Sequence, residues 1–478
     1  MHIQNGKAKG FISLIPVMVL VALLALNINI FGSDAILGAS QVALLVAAGI
    51  CIWLSMWLFK TPWKAFEEAI KSNVGDVTTA IVILLLIGAI SGTWTNSGIV
   101  PTFICYGIKI ISPKFFLLTA CLLCALVSVM IGSSWTTIAT VGVALIGIGK
   151  AEGFSDGLIA GAIISGAYFG DKISPLSDTT VMASSVCGVP LFDHIKNLMR
   201  STVPSMIVAL VAFTVLGFTH GSGDAADIDA YTGVLQAKFN ITPWLLIVPL
   251  VTGIMIAKRL PAIMVLALST LLAAAFAVIF QGDILAEIGG KVTAGSPGKV
   301  IFTGLIESVY NSVGVSTGSA EVDSLVASRG MTGMLNTVYL IICAMCFGGC
   351  MRAGGMIKAL TASLVKYLHR KWSAVAATVT TGTALNGIVS DQYLSILLTS
   401  NIYKDVYDSN GFDPKMLSRS IEDSATVTSP LFPWSSCGMT QATILGVPTL
   451  VYLPFCFFNY ISPVMSIIVS IITLKRRK

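Results

Sequence analysis

Residues 157–191 read GLIAGAIISGAYFGDKISPLSDTTVMASSVCGVPL, two apolar stretches separated by a short polar segment. The first stretch is rich in Gly and Ala, which suits close packing between helices. Pro175 lacks an N–H and cannot continue a helix, and Gly170 permits a bend in the backbone. The segment GDKISPLSDTT (170–180) therefore predicts a helix that is broken at a cluster of charged residues.

The composition of the whole chain indicates which solvent surrounds this broken helix. Of the 478 residues, 55% are hydrophobic and only 11% are charged, and the mean hydropathy is +0.87. A soluble domain carries about 25% charged residues, and its helices show a polar stripe. Nine long stretches contain no Asp, Glu, Lys or Arg: 11–31, 35–59, 77–108, 115–149, 201–219, 239–257, 260–282, 330–351 and 424–474. The chain is therefore predicted to be an all-α polytopic membrane protein.

Charged residues at the ends of the apolar runs predict the orientation of the chain, because Lys and Arg are enriched in cytoplasmic loops. Lys7 and Lys9 precede the run 11–31, which is longer than the apolar core of a signal peptide and is predicted to be the first membrane helix. The acidic segment 221–238 fits the outside. The other basic groups are Lys60, Lys64 and Lys71; His194, Lys196 and Arg200; Lys258 and Arg259; Lys366, His369, Arg370 and Lys371; and Lys475, Arg476, Arg477 and Lys478. Both termini are therefore predicted to be cytoplasmic.

One path of the chain through the membrane places all of these charged segments on their predicted sides. Ten full crossings are expected near 11–31, 35–59, 77–96, 157–188, 201–219, 239–257, 260–282, 331–350, 415–446 and 449–474. Residues 115–149 and 372–403 are each too long for one crossing and too short for two, and each has a polar centre, GSSWTT (132–137) and SDQY (390–393). We expect two re-entrant hairpins, whose irregular tips require neighbouring protein or a water-filled cavity at membrane depth.

The two halves of the chain resemble each other. Residues 153–190 and 411–448 align without a gap, sharing GF at the start, GVP at the end and nine identical positions of 38. The predicted repeats are 1–220 and 239–478, joined by an external linker at 221–238. Each half holds five crossings and one hairpin, so the second copy is inverted. Inverted repeats with broken helices near the midplane are typical of secondary transporters.

The polar residues of the breaks and tips have the chemistry of a sodium site, which needs carboxylate, hydroxyl and carbonyl oxygens. The candidate ligands are Asp171, Ser174, Ser177, Asp178, Thr179, Ser133, Ser134, Asp391, Ser435 and Ser436. A buried carboxylate can hold either a cation or a proton, and competition for it would couple two fluxes. We expect Na⁺ at Asp171 and Asp178, proton coupling through the same pair, and Lys172 neutralising the site when Na⁺ leaves.

Other interpretations of these residues stay open. The three charged residues of the first break could instead form a structural ion-pair cluster. Glu422, Asp423 and Ser429 are second-tier candidates, because the two carboxylates could equally lie at a solvated helix end or pair with Arg419. Trp135 and Trp434 could line a cavity, although packing is the simpler interpretation.

Several functional classes are disfavoured. The net charge of +6 sits at the ends of apolar runs, which fits membrane anchoring better than nucleic-acid binding. Nearly all ten cysteines lie inside apolar runs and are expected to be packing residues, and no zinc site or other cofactor is expected. The sequence YFGD (168–171) is close to the G-x-G-D motif of intramembrane proteases but does not match it, and a protease would not need an inverted repeat. A channel stays open as an interpretation, but it explains the inversion less well than a transporter does. No enzymatic activity is expected.

The chain resembles the NhaC family of bacterial sodium/proton antiporters in four segments. These are GSSWTT (132–137), GAIISGAYFGDKISPLSDTT (161–180), LSRSIEDSATVTSPLFPWSSCG (417–438) and LGVPTLVYLPFCFFNYISP (445–463). The resemblance implies Na⁺/H⁺ antiport, a transport domain that moves against a scaffold, a homodimer and a place in the bacterial inner membrane.

The same family includes exchangers of organic acids, such as malate/lactate antiporters, and carriers of amino acids. A sodium-coupled exchanger of an organic anion is therefore the alternative to simple cation/proton exchange. In that case Lys172, Arg352 or Arg419 would have to face the substrate carboxylate, assisted by Ser133 and Ser134.

Overall fold

The structure is a computed structural model, and every element in its described part is helical. It describes residues 6–31, 38–76, 78–110, 112–175, 177–219, 225–258, 260–319, 322–323, 326, 328, 330–357, 359 and 370–475. The topology markers Arg259, Lys366, His369, Arg476, Arg477 and Lys478 lie outside these residues, as does the segment 221–224 of the expected linker.

The described residues of the first half form eleven α-helices. They are α1 (Gly6–Phe31), α2 (Ala39–Leu58), α3 (Trp63–Asp76), α4 (Thr78–Asn96), α5 (Ile99–Ile110), α6 (Phe116–Ile131), α7 (Ser134–Thr137), α8 (Val143–Ala151), α9 (Asp156–Ile173), α10 (Asp178–Val186) and α11 (Leu191–Thr219). A π-helical turn, Ile138–Gly142, joins α7 to α8.

The second half adds twelve α-helices to the described part of the chain. They are α12 (Ala225–Lys238), α13 (Ile247–Ala257), α14 (Ala262–Phe280), α15 (Gly282–Gly290), α16 (Pro297–Tyr310), α17 (Leu335–Ala353), α18 (Lys371–Val389), α19 (Gln392–Ser409), α20 (Pro414–Ile421), α21 (Ser436–Leu445), α22 (Thr449–Tyr452) and α23 (Phe457–Lys475). A second π-helical turn, Glu422–Thr426, and a 3₁₀ turn, Ser429–Leu431, follow α20.

Length and composition confirm an all-α polytopic membrane protein. In the described residues, seven helices are long and apolar enough to cross a membrane, or up to ten if each bent pair counts as one span. The bent pairs join Ile81–Asn96 to Ile99–Gly107 at 66°, Thr232–Lys238 to Pro243–Met255 at 93°, and Thr449–Phe455 to Phe457–Ile472 at 54°. The expected linker is helical from Ala225 onward. The set of ten crossings and two hairpins stays a prediction.

Both expected hairpins are interrupted at their polar centres. Helix α6 ends at Ile131, Gly132 adopts a left-handed φ of 72°, and Ser133 caps the next helix. In the second half Ser390 has a left-handed φ of 61°, and Asp391 caps α19. A side-chain oxygen in the N-cap position satisfies a free backbone N–H, so these short polar residues end one helix and begin the next.

The helix that was predicted to break within residues 170–180 is broken as well, but not where Gly170 would allow a bend. Helix α9 continues to Ile173, and α10 starts after Ser177, whose hydroxyl accepts from the Thr180 N–H. Gly170 remains helical, and a Cβ there would overlap the carbonyl of Ala125 on α6. The glycine therefore serves close packing, and the break comes from the residues around Pro175.

Glycines on α9 place this helix firmly between two neighbours. A Cβ at Gly166 would overlap the Cys121 carbonyl of α6, and one at Gly157 would overlap the Val451 carbonyl of α22. Such close approach is available only to glycine. The last turn of α9, which carries Asp171 and Lys172, is thus fixed against α6.

Candidate functional site

Asp171 connects the first break to the first polar tip. It lies in the last turn of α9 and is 5% exposed. Its Oδ2 accepts hydrogen bonds from the backbone N–H of Ser134 at 3.1 Å and from the Ser134 hydroxyl at 2.7 Å. Ser134 is held in place because Ser133 caps the same short helix, accepting from the Thr136 N–H at 3.3 Å. Charge-assisted bonds of this kind are stronger than those between neutral groups.

The other hydroxyls of the first break bind neighbouring residues, and one of them reaches this carboxylate. The Ser174 hydroxyl donates to the Val129 carbonyl at 2.8 Å, which ties the break to α6. The Ser177 hydroxyl lies 3.0 Å from that of Thr179 and also interacts with the Asp171 carboxylate. Asp178, by contrast, is exposed. The structure thus brings the predicted residues of the break together, with one carboxylate buried and one open to solvent.

The second break and tip are joined in a similar way. Asp391 accepts from the Leu394 N–H at 3.0 Å and from the Ser436 hydroxyl at 3.1 Å. The Ser436 N–H donates to the Ser390 carbonyl at 2.8 Å, and the Ser435 hydroxyl donates to the Ser429 carbonyl at 2.5 Å. The second set of predicted ligands therefore also lies in one place.

Tyr393 lies between the two sets. Its ring, next to the second tip, is in electrostatic range of Asp171, Asp178 and Asp391. Tyr393 was not among the predicted ligands, because a single aromatic residue at the end of a polar segment gives no signal of such a position. Asp391 itself is 3% exposed, so the carboxylate of the second tip is buried, as is that of Asp171.

Lys172 does not join Asp171 and Asp178, so the alternative of a local ion-pair cluster is wrong. Successive residues on an α-helix point about 100° apart, since there are 3.6 residues per turn. Lys172 therefore faces away from Asp171 and forms a fully buried ion pair with Asp423 of the second half. Its ammonium also donates to the Ser462 hydroxyl of α23 at 2.7 Å.

Asp423 has a complete set of partners. Besides Lys172, it accepts from the Ser201 hydroxyl of α11 at 2.8 Å and from the Ser462 hydroxyl at 2.8 Å. Nε of Arg419, a side chain only 2% exposed, lies 3.9 Å from its other oxygen. Ser201 and Ser462 could not be predicted, because each is one of several hydroxyl residues in its helix and no local pattern distinguishes it.

Glu422 and Asp423 are both 0% exposed, so the alternative of a solvated helix end is wrong. They lie in the π-helical turn that follows α20, and such turns are frequent at functional sites. Oε1 of Glu422 accepts from the Thr179 hydroxyl at 3.1 Å. Oε2 has no hydrogen-bond partner among the described residues.

The remaining candidates have packing roles. Trp135 packs against one apolar cluster, and Trp434 packs against another while donating from Nε1 to the Gly387 carbonyl at 2.7 Å. All ten cysteines are free thiols, nine of them buried. The described residues contain no group of three or more His, Cys, Asp or Glu side chains that could hold a metal ion.

The buried charges around the two breaks do not balance. Four carboxylates are buried there, and the two buried cations, Lys172 and Arg419, both lie beside Asp423. A lone charge at membrane depth costs a few kcal/mol or more. The arrangement can therefore offset the negative charges of Asp171 and Glu422 by taking up small cations or protons.

Comparison with known proteins agrees with this chemistry. The sequence profile of the Na⁺/H⁺ antiporter family matches residues 6–186 and 166–473. The Na⁺/H⁺ antiporter NhaC of Bacillus subtilis is 36% identical over 422 residues, covering 87% of this chain and 89% of the relative. The malate-2H⁺/Na⁺-lactate antiporter of the same organism is 34% identical over 430 residues, 90% and 88% of the two chains. The arginine/ornithine antiporter ArcD of Halobacterium salinarum is 30% identical over 462 residues, 96% and 91% of the two chains.

Proposed function

The chain belongs to the Na⁺/H⁺ antiporter family, and we propose that it exchanges Na⁺ for H⁺ at the first break. One observation carries this proposal: Asp171 is buried and accepts two hydrogen bonds from Ser134, yet it has no ion-pair partner in the described part of the chain. The neighbouring Lys172 is turned away and held by Asp423. The carboxylate must therefore obtain its counter-charge from solution, as Na⁺ or as a proton.

Competition for this charge couples the two ions. The proposed Na⁺ ligands are Asp171 and Asp178 with the oxygens of Ser133, Ser134, Ser174, Ser177 and Thr179, and Asp391 with Ser435 and Ser436 on the second side. A cation at the site disfavours protonation of the same carboxylates, and a proton disfavours the cation. Lys172 is expected to neutralise the site only in a conformation that releases it from Asp423.

We further propose that residues 1–220 and 239–478 are inverted repeats that alternate access to this site. Left-handed residues recur 258 positions apart, at Gly132 and Ser390, at Gly153 and Gly411, and at Gly188 and Gly446. Helix N-caps recur at the same spacing, as Ser177 and Ser435 illustrate. The recurrence of backbone conformation supports a common ancestral fold for the two halves. A homodimer in the bacterial inner membrane, with both termini cytoplasmic, completes the proposal.

Two relatives named for organic cargo support an alternative, in which Na⁺ and H⁺ drive exchange of an organic acid or an amino acid. That exchange requires a cation facing the substrate carboxylate. Lys172 and Arg419 both lie beside Asp423, and Arg352 is partly exposed in the last turn of α17, on a different helix from the breaks. The geometry therefore favours simple cation/proton exchange.

Transport by the purified protein distinguishes these functions. The protein is reconstituted into liposomes that contain a pH-sensitive dye, and a Na⁺ gradient is imposed without any organic solute. We expect Na⁺ alone to move protons, and Asp171→Asn and Asp178→Asn to abolish or strongly reduce this signal. Asp156→Asn, which removes only a surface ion pair with Lys150, is the matched control. If no protons move until malate, lactate or arginine is supplied, the alternative replaces the proposal.

A further inference from the structure

Helix α11 is longer than the hydrocarbon core of a bilayer requires. It has 29 residues, Leu191–Thr219, of which 201–219 carry no charge. At 1.5 Å per residue the uncharged part is about 28 Å long. A bilayer core is about 30 Å thick, so this part fills it. Residues 191–200 therefore extend beyond the core, and the last of them lie in the layer of lipid headgroups.

One face of α11 is apolar and exposed where the helix crosses the core. Ile207, Val211 and Phe218 share this face, because they are four and seven residues apart, and each is more than half exposed. The opposite face packs inward, where the Ser201 hydroxyl donates to Asp423. Lipid tails are as apolar as the exposed side chains, so the stripe is the lipid-facing side of the helix.

The lipid-facing side continues into the headgroup layer with two cations. Lys196 and Arg200 lie eleven and seven residues before Ile207, which is about three and two turns of an α-helix. Both side chains are exposed, and they are neighbours because they are four residues apart. The two cations therefore stand directly above the apolar stripe, at the depth of lipid phosphates.

No carboxylate in the described part of the chain neutralises these two cations. Asp193, the one acidic residue of α11, pairs instead with Lys415 of α20 at 2.7 Å. Neither Lys196 nor Arg200 forms an ion pair within 4.0 Å among the described residues. Arg200 is also in electrostatic range of Lys415 and Arg419, which add to the positive potential around it. This charge is open to an anion from outside the chain.

A second copy of the chain does not suit this face. In a two-fold symmetric contact the same patch meets itself, so Lys196 and Arg200 would lie opposite their own counterparts. Like charges placed opposite each other disfavour an interface. A lipid with a negatively charged headgroup suits both parts of the face, since cations near the membrane surface attract anionic lipids and the stripe below them takes acyl chains.

We propose that Lys196 and Arg200 bind the phosphate of an anionic phospholipid whose acyl chains lie along Ile207 and Val211. In the predicted topology this lipid belongs to the cytoplasmic leaflet. The proposal does not depend on the exchange of Na⁺ for H⁺.

The bound lipid stabilises the contact between α11 and α20. On the side of α11 that faces α20, Nδ2 of Asn197 donates to the Lys415 carbonyl at 2.6 Å, and Nδ1 of His194 lies 2.8 Å from the Ser418 hydroxyl. A ligand that binds only the folded protein stabilises it by mass action. The lipid on the outer side of the helix therefore favours the state in which the inner side is packed.

Native mass spectrometry of the purified protein in detergent measures this binding. Phosphatidylglycerol and phosphatidylcholine with identical acyl chains are added separately, and bound lipids are counted. We expect the wild type to bind one phosphatidylglycerol in preference to phosphatidylcholine. The double variant Lys196→Gln/Arg200→Gln should bind phosphatidylglycerol about 30-fold more weakly, since each Lys or Arg near an anionic lipid strengthens binding about fivefold. The charge-conserving double variant Lys196→Arg/Arg200→Lys should bind as the wild type does.

A matched control removes two exposed cations elsewhere. Lys71 pairs with Glu67 at 2.6 Å, and Lys404 is exposed on α19 next to Asp405. The double variant Lys71→Gln/Lys404→Gln should keep the wild-type preference for phosphatidylglycerol. A further test requires no variant: phosphatidylglycerol should raise the melting temperature of the wild type more than phosphatidylcholine does, and equal shifts would count against the site.

Three other results would overturn the inference. If Lys196→Gln/Arg200→Gln keeps the wild-type preference for phosphatidylglycerol, these cations do not bind the headgroup. If glycerol phosphate at equal concentration displaces the lipid, the face is a site for a free phosphate. If the variant converts a dimer into monomers without changing the number of bound lipids, the face contacts a second copy of the chain.

Discussion

Removing the negative charge of Asp423 should destabilise the protein strongly. Asparagine keeps the size of the side chain and can still accept a hydrogen bond from Ser201 or Ser462, so Asp423→Asn isolates the loss of charge. Two unit charges about 4 Å apart interact by about 4 kcal/mol at an effective dielectric constant of about 20. Breaking a buried pair by removing one partner costs about 3–5 kcal/mol. We expect the free energy of unfolding of Asp423→Asn to fall by about 3–5 kcal/mol, because Lys172 and Arg419 lose their counter-ion.

Reversible unfolding in mixed detergent micelles, followed by tryptophan fluorescence, measures this loss. Lys172→Met and the double variant complete a double-mutant cycle. The free energy of unfolding of the double variant should fall by less than the sum of the two single decreases, and the difference should be about 1–3 kcal/mol. Asp193→Asn, which removes an exposed ion pair with Lys415 at 2.7 Å, should leave the free energy of unfolding nearly unchanged, because solvent screens this pair. If the free energy of unfolding of Asp423→Asn lies within about 1 kcal/mol of the wild-type value, the buried charge of Asp423 does not stabilise the fold. Strictly additive effects in the cycle would show that Asp423 and Lys172 do not stabilise each other.

Three further predictions concern other parts of the chain. Ser134→Ala removes a hydroxyl from the Asp171 carboxylate, and since hydrogen bonds to charged groups contribute about 1.5–3 kcal/mol, the apparent KM for Na⁺ in liposomes should rise about 10- to 100-fold. Gly166→Ala places a methyl group against a backbone carbonyl and should cost about 1–3 kcal/mol in unfolding, whereas Gly49→Ala, which meets no atom within 4 Å, should not destabilise. Burial raises the pKa of Glu152 from 4.5 to about 7, so the folded state binds this proton more tightly than the unfolded state. Stability should therefore fall as pH rises from about 4.5 to 7, and Glu152→Gln should raise the melting temperature at pH 8 but not at pH 4.

The membrane-protein class and the positions of the helix breaks could be predicted because each depends on local sequence. Uncharged runs identify membrane helices, and short polar residues such as Ser133 and Asp391 identify new helix starts. The role of Gly170 was missed because a glycine that allows a bend and a glycine that allows close packing look the same in sequence. Only the approach of α6 distinguishes the two.

The partners of the charged residues could not be predicted in the same way. Lys172 pairs with a residue 251 positions away, and its direction depends on the phase of α9 at the point where the helix breaks. The burial of Glu422 likewise depends on packing by helices from the first half, since Thr179 of α10 covers its carboxyl group. Sequence identifies which charges enter the membrane, whereas tertiary packing decides which of them are paired.

The proposed exchange at this site follows from the way in which the two halves share their charges. The lysine of the first half is neutralised by Asp423 of the second half, and serines of α11 and α23 stabilise that pair. Asp171, in contrast, takes its hydrogen bonds from Ser134 in its own half and receives no protein cation in the described structure. A buried carboxylate that has donors but no cation is held in place without being neutralised. The fixed pair therefore holds the halves together, and the unpaired carboxylate makes the site depend on an ion from solution.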